Sequence, residues 1–345
     1  MGRQELGVIT IDQAMTSVVL GIGTAVPEKI LTNIELESMV DTTEEWILSR
    51  TGIEERRIAA CAQATSDLAL SASKAALEQG GISADQLDLI LVATVTPDMI
   101  FPSTACILQR ALGAVNAGAF DLSAGCTGFV YALTVAEQFL ASGKCRYVLI
   151  AAAETLSRIT NYEDRNTCIL FGDGAGAVVL GRGSKPYGII SAYLGADGNG
   201  ESLLYVPAGG SRLPASPQTV ADNLHYIHMQ GNEVFKFAVS VIPECIDRVL
   251  NQSGMAMEDV DHFVFHQANR RILQTAVKRL GISWEKVIVN LERYGNVSAA
   301  SIPLALGEAV EDGRIKEGDL IMMVAFGAGL TMGAVLMRWG GAGND

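Results

Sequence analysis

Histidine is scarce in this chain, at 4 in 345 residues, and the 6 cysteines (61, 106, 126, 145, 168 and 245) form no Cys-x-x-Cys pair. That spacing argues against zinc and against a disulfide framework, and it suits a reducing cytoplasm. No apolar run reaches the roughly 18 residues of a membrane-spanning helix, although the mean hydropathy is +0.28. The start, Met1-Gly-Arg-Gln-Glu-Leu, lacks a basic segment followed by an apolar one and does not read as a signal peptide. Residues 1–14 read as an N-terminal extension open to disorder, with Met15 as an alternative start. A net charge of −13 disfavours nucleic acid as a general partner, though it leaves room for a local basic patch.

Only 9 prolines accompany 36 glycines, and 49% of residues are hydrophobic, which suits an α/β protein with buried strands. At 345 residues, two domains or two halves of one large unit are expected. The stretch Ala119 to Leu140 stands out. Strand-like residues lead into Ser123-Ala124-Gly125, and a helical pattern begins at or just after Cys126. Phe129, Leu133, Ala136 and Leu140 share one face, and Gly143-Lys144 is a natural stop. The helix is apolar almost all round, so burial is expected. At its first turn, Cys126 would meet free N–H groups and the positive end of the helix dipole, which favour a thiolate. A small buried hydrophobe is the plain alternative.

Strands are expected at 16–24, 88–95 and 147–153, and helices at 66–80, 105–112 and 233–252. Gly21-x-Gly23 begins like a dinucleotide fingerprint, but Val26 replaces the third glycine and Pro27 interrupts the helix. The glycines of Phe171 to Leu180 run into a β-type segment, so they read as close backbone approach and not as a phosphate loop. Thr42 with Glu45 signals a capping box, and Trp46 and Arg50 then lie four apart on one helix. Such a pair can hold a phosphorylated, adenine-bearing ligand, or simply form a surface cation–π contact. The loop Thr96 to Pro102 exposes apolar residues, Phe101 among them, fit for a partner subunit or a pocket wall. Residues 197–224 read as a surface excursion between halves.

The second half repeats the grammar of the first. Met257 to His266 parallels Ser83 to Ala93, and Val324 to Met337 echoes Ile169 to Leu180. A duplicated α/β unit explains both echoes, with 15–190 and 191–345 as the halves. His266 and Asn296 lie in polar segments that end β-type runs. His262 and His266 have metalloprotease spacing but fall on a strand without the glutamate, so no metal is expected. Together, Cys126, His266 and Asn296 have a chemical use: a thiolate takes an acyl group, while imidazole and amide donors stabilise an oxyanion or enolate. Backbone N–H groups of Cys126 and Ala328, in Gly327-Ala328-Gly329, would form a second oxyanion site.

Ala-Gly-Cys126-Thr-Gly-Phe, His266-Gln-Ala-Asn269 and Tyr294-Gly-Asn296-Val-Ser-Ala-Ala-Ser together make the chain, from about Met15 to Trp339, resemble the β-ketoacyl-acyl carrier protein synthase III family. The resemblance implies a layered αβαβα thiolase-like fold and decarboxylative condensation of an acyl-coenzyme A starter with malonyl-carrier protein. It implies a cytoplasmic homodimer, needing no metal or redox cofactor, with acyl-coenzyme A as a substrate. The catalytic residues would be Cys126, His266 and Asn296, with Asn269 supporting His266 or a site water. Coenzyme A contacts would fall on Thr42, Trp46, Arg50, Arg165 and Asn232, and Phe101 would reach into the partner's acyl pocket. Arg271 would dock the acidic carrier protein. Arg270, Lys278 and Arg279 lie beside it on the same helical segment, a favourable landing site on an acidic chain. The chain departs from the family's pattern at Met332, where many members carry tryptophan, and at Ala328, which replaces a glycine. A condensing enzyme or acyltransferase of a secondary-metabolite pathway is the alternative function, and a silent partner subunit is a third.

Overall fold

The computed structural model describes residues 15–341, so the expectation for residues 1–14 lies outside the described residues. The chain runs β1 (Met15–Ala25), β2 (Lys29–Thr32), α1 (Asn33–Glu37), α2 (Glu44–Thr51), β3 (Glu55–Ile58), α3 (Thr65–Gly80) and β4 (Leu89–Ala93). It continues through α4 (Thr104–Leu112), β5 (Gly118–Leu122), α5 (Gly128–Ala141), β6 (Tyr147–Thr155), β7 (Asp173–Ser184) and β8 (Gly188–Ala196). Then come β9 (Leu204–Tyr205), α6 (Pro217–Ala221), β10 (His228–Met229), α7 (Gly231–Ser253), β11 (His262–Phe265) and α8 (Arg270–Leu280). The last elements are β12 (Val287–Ile288), α9 (Leu291–Tyr294), α10 (Ser301–Glu311), β13 (Leu320–Gly327) and β14 (Thr331–Arg338).

Two five-stranded sheets have matching plans. One runs β5-β4-β6-β7-β1 and the other β12-β11-β13-β14-β8. In each, the first three strands are parallel and the last two pairings antiparallel. The central parallel strands β4 and β13 are apolar along their whole length because both faces are covered. Between the sheets lie α5 and α10, whose Phe129, Leu133, Leu304 and Leu306 share one core with Ile150 and Met323. Helices α3 and α4 cover the outer face of the first sheet, and α7 and α8 that of the second. The result is a duplicated αβαβα sandwich of the thiolase type.

The sequence echoes fall on equivalent strands: Leu89–Ala93 with His262–Phe265, and Ala177–Leu180 with Ala334–Met337. The suspect glycines serve packing. A β-carbon at Gly21 would sit 2.1 Å from Ala76 O on α3, and one at Gly176 would sit 2.7 Å from Pro303 Cβ on α10. Strands through Ser184 lie in the first sheet and those from Gly188 in the second, so the division expected at 190/191 falls inside β8. The 197–224 excursion therefore follows a strand already in the second sheet, and its Leu204 packs against Leu156 and Phe171 of the first half. The cap of α2 is corrected as well. Thr43, not Thr42, accepts from Trp46 N at 3.1 Å, so the Thr42–Glu45 box does not form.

Candidate active site

Cys126 occupies a single 3-10 turn, Gly125–Thr127, at the entry to α5. The equivalent turn of the other half, Ser298–Ala300, leads into α10 and follows Asn296. Because α5 and α10 are the paired central helices, their N-terminal turns meet. The Thr127 hydroxyl bonds Ala124 O and the Thr331 hydroxyl (2.8 Å to the latter), which clips the Cys126 turn to the start of β14. Gly327 is the point of closest approach. A β-carbon there would lie 2.8 Å from Cys126 N and 3.2 Å from its sulfur. Cys126 and Ala328, the expected oxyanion donors, border one cavity.

Burial opposes the thiolate expected at a helix start and pushes the Cys126 thiol up to about 12.

His266 directly follows β11, its N–H bonded to Val324 O at 2.8 Å and its ring edge-on to Phe326 at 5.3 Å. Burial drives its pKa down to about 3, so the imidazole is neutral. Nδ1 lies 2.7 Å from Ser301 Oγ. The hydroxyl of Ser301 has one proton and a second acceptor, Ser298 O, at 2.9 Å. Asn296 is held by the first half: its N–H donates to Leu170 O at 2.8 Å, and its carbonyl accepts from Gly172 N at 3.0 Å. Its Oδ1 accepts from Ser298 N at 2.9 Å, which leaves the amide NH2 free to face the cleft.

Cys126, His266 and Asn296 line one cleft of about 570 Å³. Trp46, Arg50, Asn232, Asn269 and Arg271 line it as well. Thr42 and Arg165 do not line it, although the Arg165 guanidinium packs 5.0 Å from the Trp46 ring and that of Arg50 lies 5.9 Å from it. Asn269 has other duties than the expected support of His266. It caps α8 through Arg271 N at 2.8 Å and donates to Arg50 O at 3.1 Å. Ser301 is the partner of His266 instead. A second, apolar cavity of about 250 Å³ opens at Cys126, bounded by Val95, Leu156, Ile159, Phe171 and Leu204. Phe101 lines neither space; it is 83% exposed, beside Ile100 at 84%. Arg271 and Lys278 share the exposed face of α8, while Arg270 pairs with Glu292 at 3.7 Å. Among the described residues, no group of three or more His, Cys, Asp or Glu is arranged to hold a metal.

Sequence reading missed two side chains in this site, Ser298 and Ser301, which stand inside the motif already singled out.

Fold and site together define a condensing acyltransferase of the thiolase type. Family models described as 3-oxoacyl-[acyl-carrier-protein (ACP)] synthase III match residues 120–198, and the C-terminal counterpart matches 250–339. The β-ketoacyl-[acyl-carrier-protein] synthase III of Caldanaerobacter subterraneus subsp. tengcongensis is 59% identical, over 93% of this chain and 97% of its own. The crystal structure of 3-oxoacyl-[acyl-carrier-protein] synthase III from Aquifex aeolicus is 46% identical with a TM-score of 0.87, covering 94% of this chain and 100% of its own. The priming β-ketosynthase of the R1128 polyketide pathway is 36% identical with a TM-score of 0.89, covering 98% and 100%. The chain belongs to the β-ketoacyl-acyl carrier protein synthase III family.

Proposed function

We propose that the chain loads an acyl group from acyl-coenzyme A onto Cys126 and condenses it with malonyl-carrier protein, releasing carbon dioxide, to begin fatty acid synthesis. The observation that carries this reading is the convergence of Cys126, His266 and Asn296, from both halves, on one cleft. In the first step, the Cys126 sulfur attacks the thioester carbonyl and coenzyme A leaves as a thiol. The N–H groups of Cys126 and Ala328 hold the oxyanion.

In the second step, the malonyl thioester carbonyl accepts from the Asn296 amide and from His266 Nε2–H. That donor exists when Ser301 gives its proton to Nδ1, which puts the ring proton on Nε2. Because the imidazole is neutral, it acts as a hydrogen-bond donor and not as a cation. Carbon dioxide departs, the enolate carbon attacks the acyl-cysteine, and the Cys126 thiolate is expelled. These steps close with the protein's own groups and its substrates.

Trp46, Arg50 and Asn232 line the cleft where coenzyme A would lie, and Thr42 and Arg165 belong to its outer contacts. The small apolar cavity beside Cys126 takes a short acyl chain. Arg270, Arg271 and Lys278 receive the carrier protein near the mouth. Met99, Ile100 and Phe101, all exposed, meet a second copy of the chain. The division into two halves is part of the same reading, with the boundary drawn between Ser184 and Gly188. The comparisons favour the primary pathway, since identity is 59% to the Caldanaerobacter enzyme against 36% to the polyketide one.

The test separates the two steps. Asn296→Ala is expected to acylate normally and to lose carbon dioxide release from malonyl-carrier protein. Unchanged release would contradict the role assigned to the amide.

A further inference from the structure

Arg56 on β3 is fully buried, yet its hydrogen-bond partners are all uncharged. One terminal nitrogen, Nη1, donates to Leu31 O at 3.2 Å and to Asn33 Oδ1 at 2.9 Å. The other, Nη2, donates to Ile169 O at 2.7 Å. Nε has no partner among the described residues. Burial lowers the pKa to about 10, so the group is still a cation at neutral pH. A buried charge that meets no carboxylate works against stability, and a packed apolar side chain of similar volume would be the more stable filling. Stability alone therefore does not account for an arginine here.

The two ends of the guanidinium hold different parts of the molecule. Nη1 fixes the β2–β3 hairpin, and Asn33 donates in turn to Ile53 O at 2.8 Å, just past the end of α2. That helix carries Trp46 and Arg50 on the cleft. Nη2 fixes residues 169–172, and this segment grips Asn296 from both sides. Leu170 O accepts the Asn296 N–H at 2.8 Å, and Gly172 N–H donates to the Asn296 carbonyl at 3.0 Å. Ile169, whose carbonyl Arg56 takes, directly precedes Leu170. The stem of the arginine packs against the same grip. A β-carbon at Gly172 would lie 3.1 Å from Arg56 Cβ, and one at Gly295, the neighbour of Asn296, would lie 3.4 Å from it.

A hydrogen-bond donor to a developing enolate must be aimed closely, since a misplacement of about 1 Å can slow a reaction by about 100-fold. The planar fork of arginine reaches two directions at once. Lysine, a single ammonium on a flexible stem, cannot hold both ends in the same way.

We propose that Arg56 is a positioning residue for Asn296: by fixing residues 169–172 against the β2–β3 hairpin, it aims the Asn296 amide at the malonyl thioester carbonyl. The inference rests on the reading above that gives this amide to the decarboxylation step. Arg56 lines neither cavity at Cys126, so it touches no substrate and no reacting atom. Acyl loading on Cys126 does not depend on it.

Measuring the two half-reactions separately tests this on the full chain. Intact mass after incubation with acetyl-coenzyme A reads loading, and carbon dioxide from malonyl-carrier protein labelled in the carboxyl carbon reads decarboxylation. Arg56→Met is expected to load at close to the native rate and to release carbon dioxide about 30-fold more slowly. The fall should lie in kcat, with KM for malonyl-carrier protein unchanged. Arg56→Lys should recover part of the release. In an Asn296→Ala background, Arg56→Lys should slow release no further, because the amide it aims is gone. Equal losses in both half-reactions, native release from Arg56→Met, or a full further loss in the Asn296→Ala background overturns the proposal. If Arg56→Met does not fold, Arg56→Lys decides by the same readouts, with a smaller loss confined to release. Native release from Asn296→Ala alone would instead overturn the role of the amide on which the proposal rests.

Discussion

Gly327 and Cys126 are packed so closely that a β-carbon at 327 would stand 2.8 Å from the Cys126 β-carbon and 3.2 Å from its sulfur. Neither side can yield, because Gly327 ends the buried strand β13 and Cys126 is fixed by the Thr127–Thr331 clip. Gly327→Ala is therefore expected to lose about 1–3 kcal/mol of stability and to slow acyl loading sharply. Urea titration and timed intact-mass measurement check the two parts. A variant of native stability and loading rate would contradict the packing account.

Ser301 is the hydrogen-bond partner of His266 Nδ1, so its hydroxyl should matter for decarboxylation and little for loading. Ser301→Ala is expected to lower carbon dioxide release by about 10-fold, against about 100-fold or more for deleting a direct donor to the oxyanion. Acyl loading should stay near the native rate. Ser301→Thr, which restores a hydroxyl, is expected to recover part of the release. Equal losses in both half-reactions would point to general disorder of the turn.

The buried His266 makes a signed prediction for stability. Its folded pKa, about 3, lies below the unfolded value of 6.5. Between those values the unfolded chain binds a proton that the folded chain refuses, so stability falls as pH falls. The loss approaches the order of 4 kcal/mol at the acid end of that window. Glu154 acts with the opposite sign, since its folded pKa is raised to about 7, above the unfolded 4.5. The comparison must therefore be differential: urea unfolding of the native protein and of His266→Asn at pH 7 and pH 4.5. The native protein should lose more stability between the two than the variant does. Parallel losses would rule out the titration of His266 as the cause.

Much of this was legible in the residues. Strands such as Leu89–Ala93 announce themselves because burial on both faces leaves an unbroken apolar run. Cys126, His266 and Asn296 were legible because each ends a patterned segment with a polar or reactive group. Tertiary relations were not. Nothing local says that β8 pairs with β14 and not with its sequence neighbour β7. Thr42 and Thr43 are equally good caps by composition, and only the backbone decides that Thr43 reaches Trp46 N. The thiol's resting state also escaped, since burial of Cys126 depends on Gly327 and Ser298, 201 and 172 residues further along the chain. The buried carboxyl of Glu154 is a further case: its partners Thr94 and Thr96 are joined to it only by folding.

The central claim is that Cys126 carries the acyl group. Incubating the full chain with acyl-coenzyme A thioesters of increasing chain length and weighing it intact tests this directly. One acyl adduct per chain is expected, strongest for short chains and removable by hydroxylamine, with none on Cys126→Ser. Absence of any adduct on the native chain, or an adduct that persists in Cys126→Ser, would contradict it.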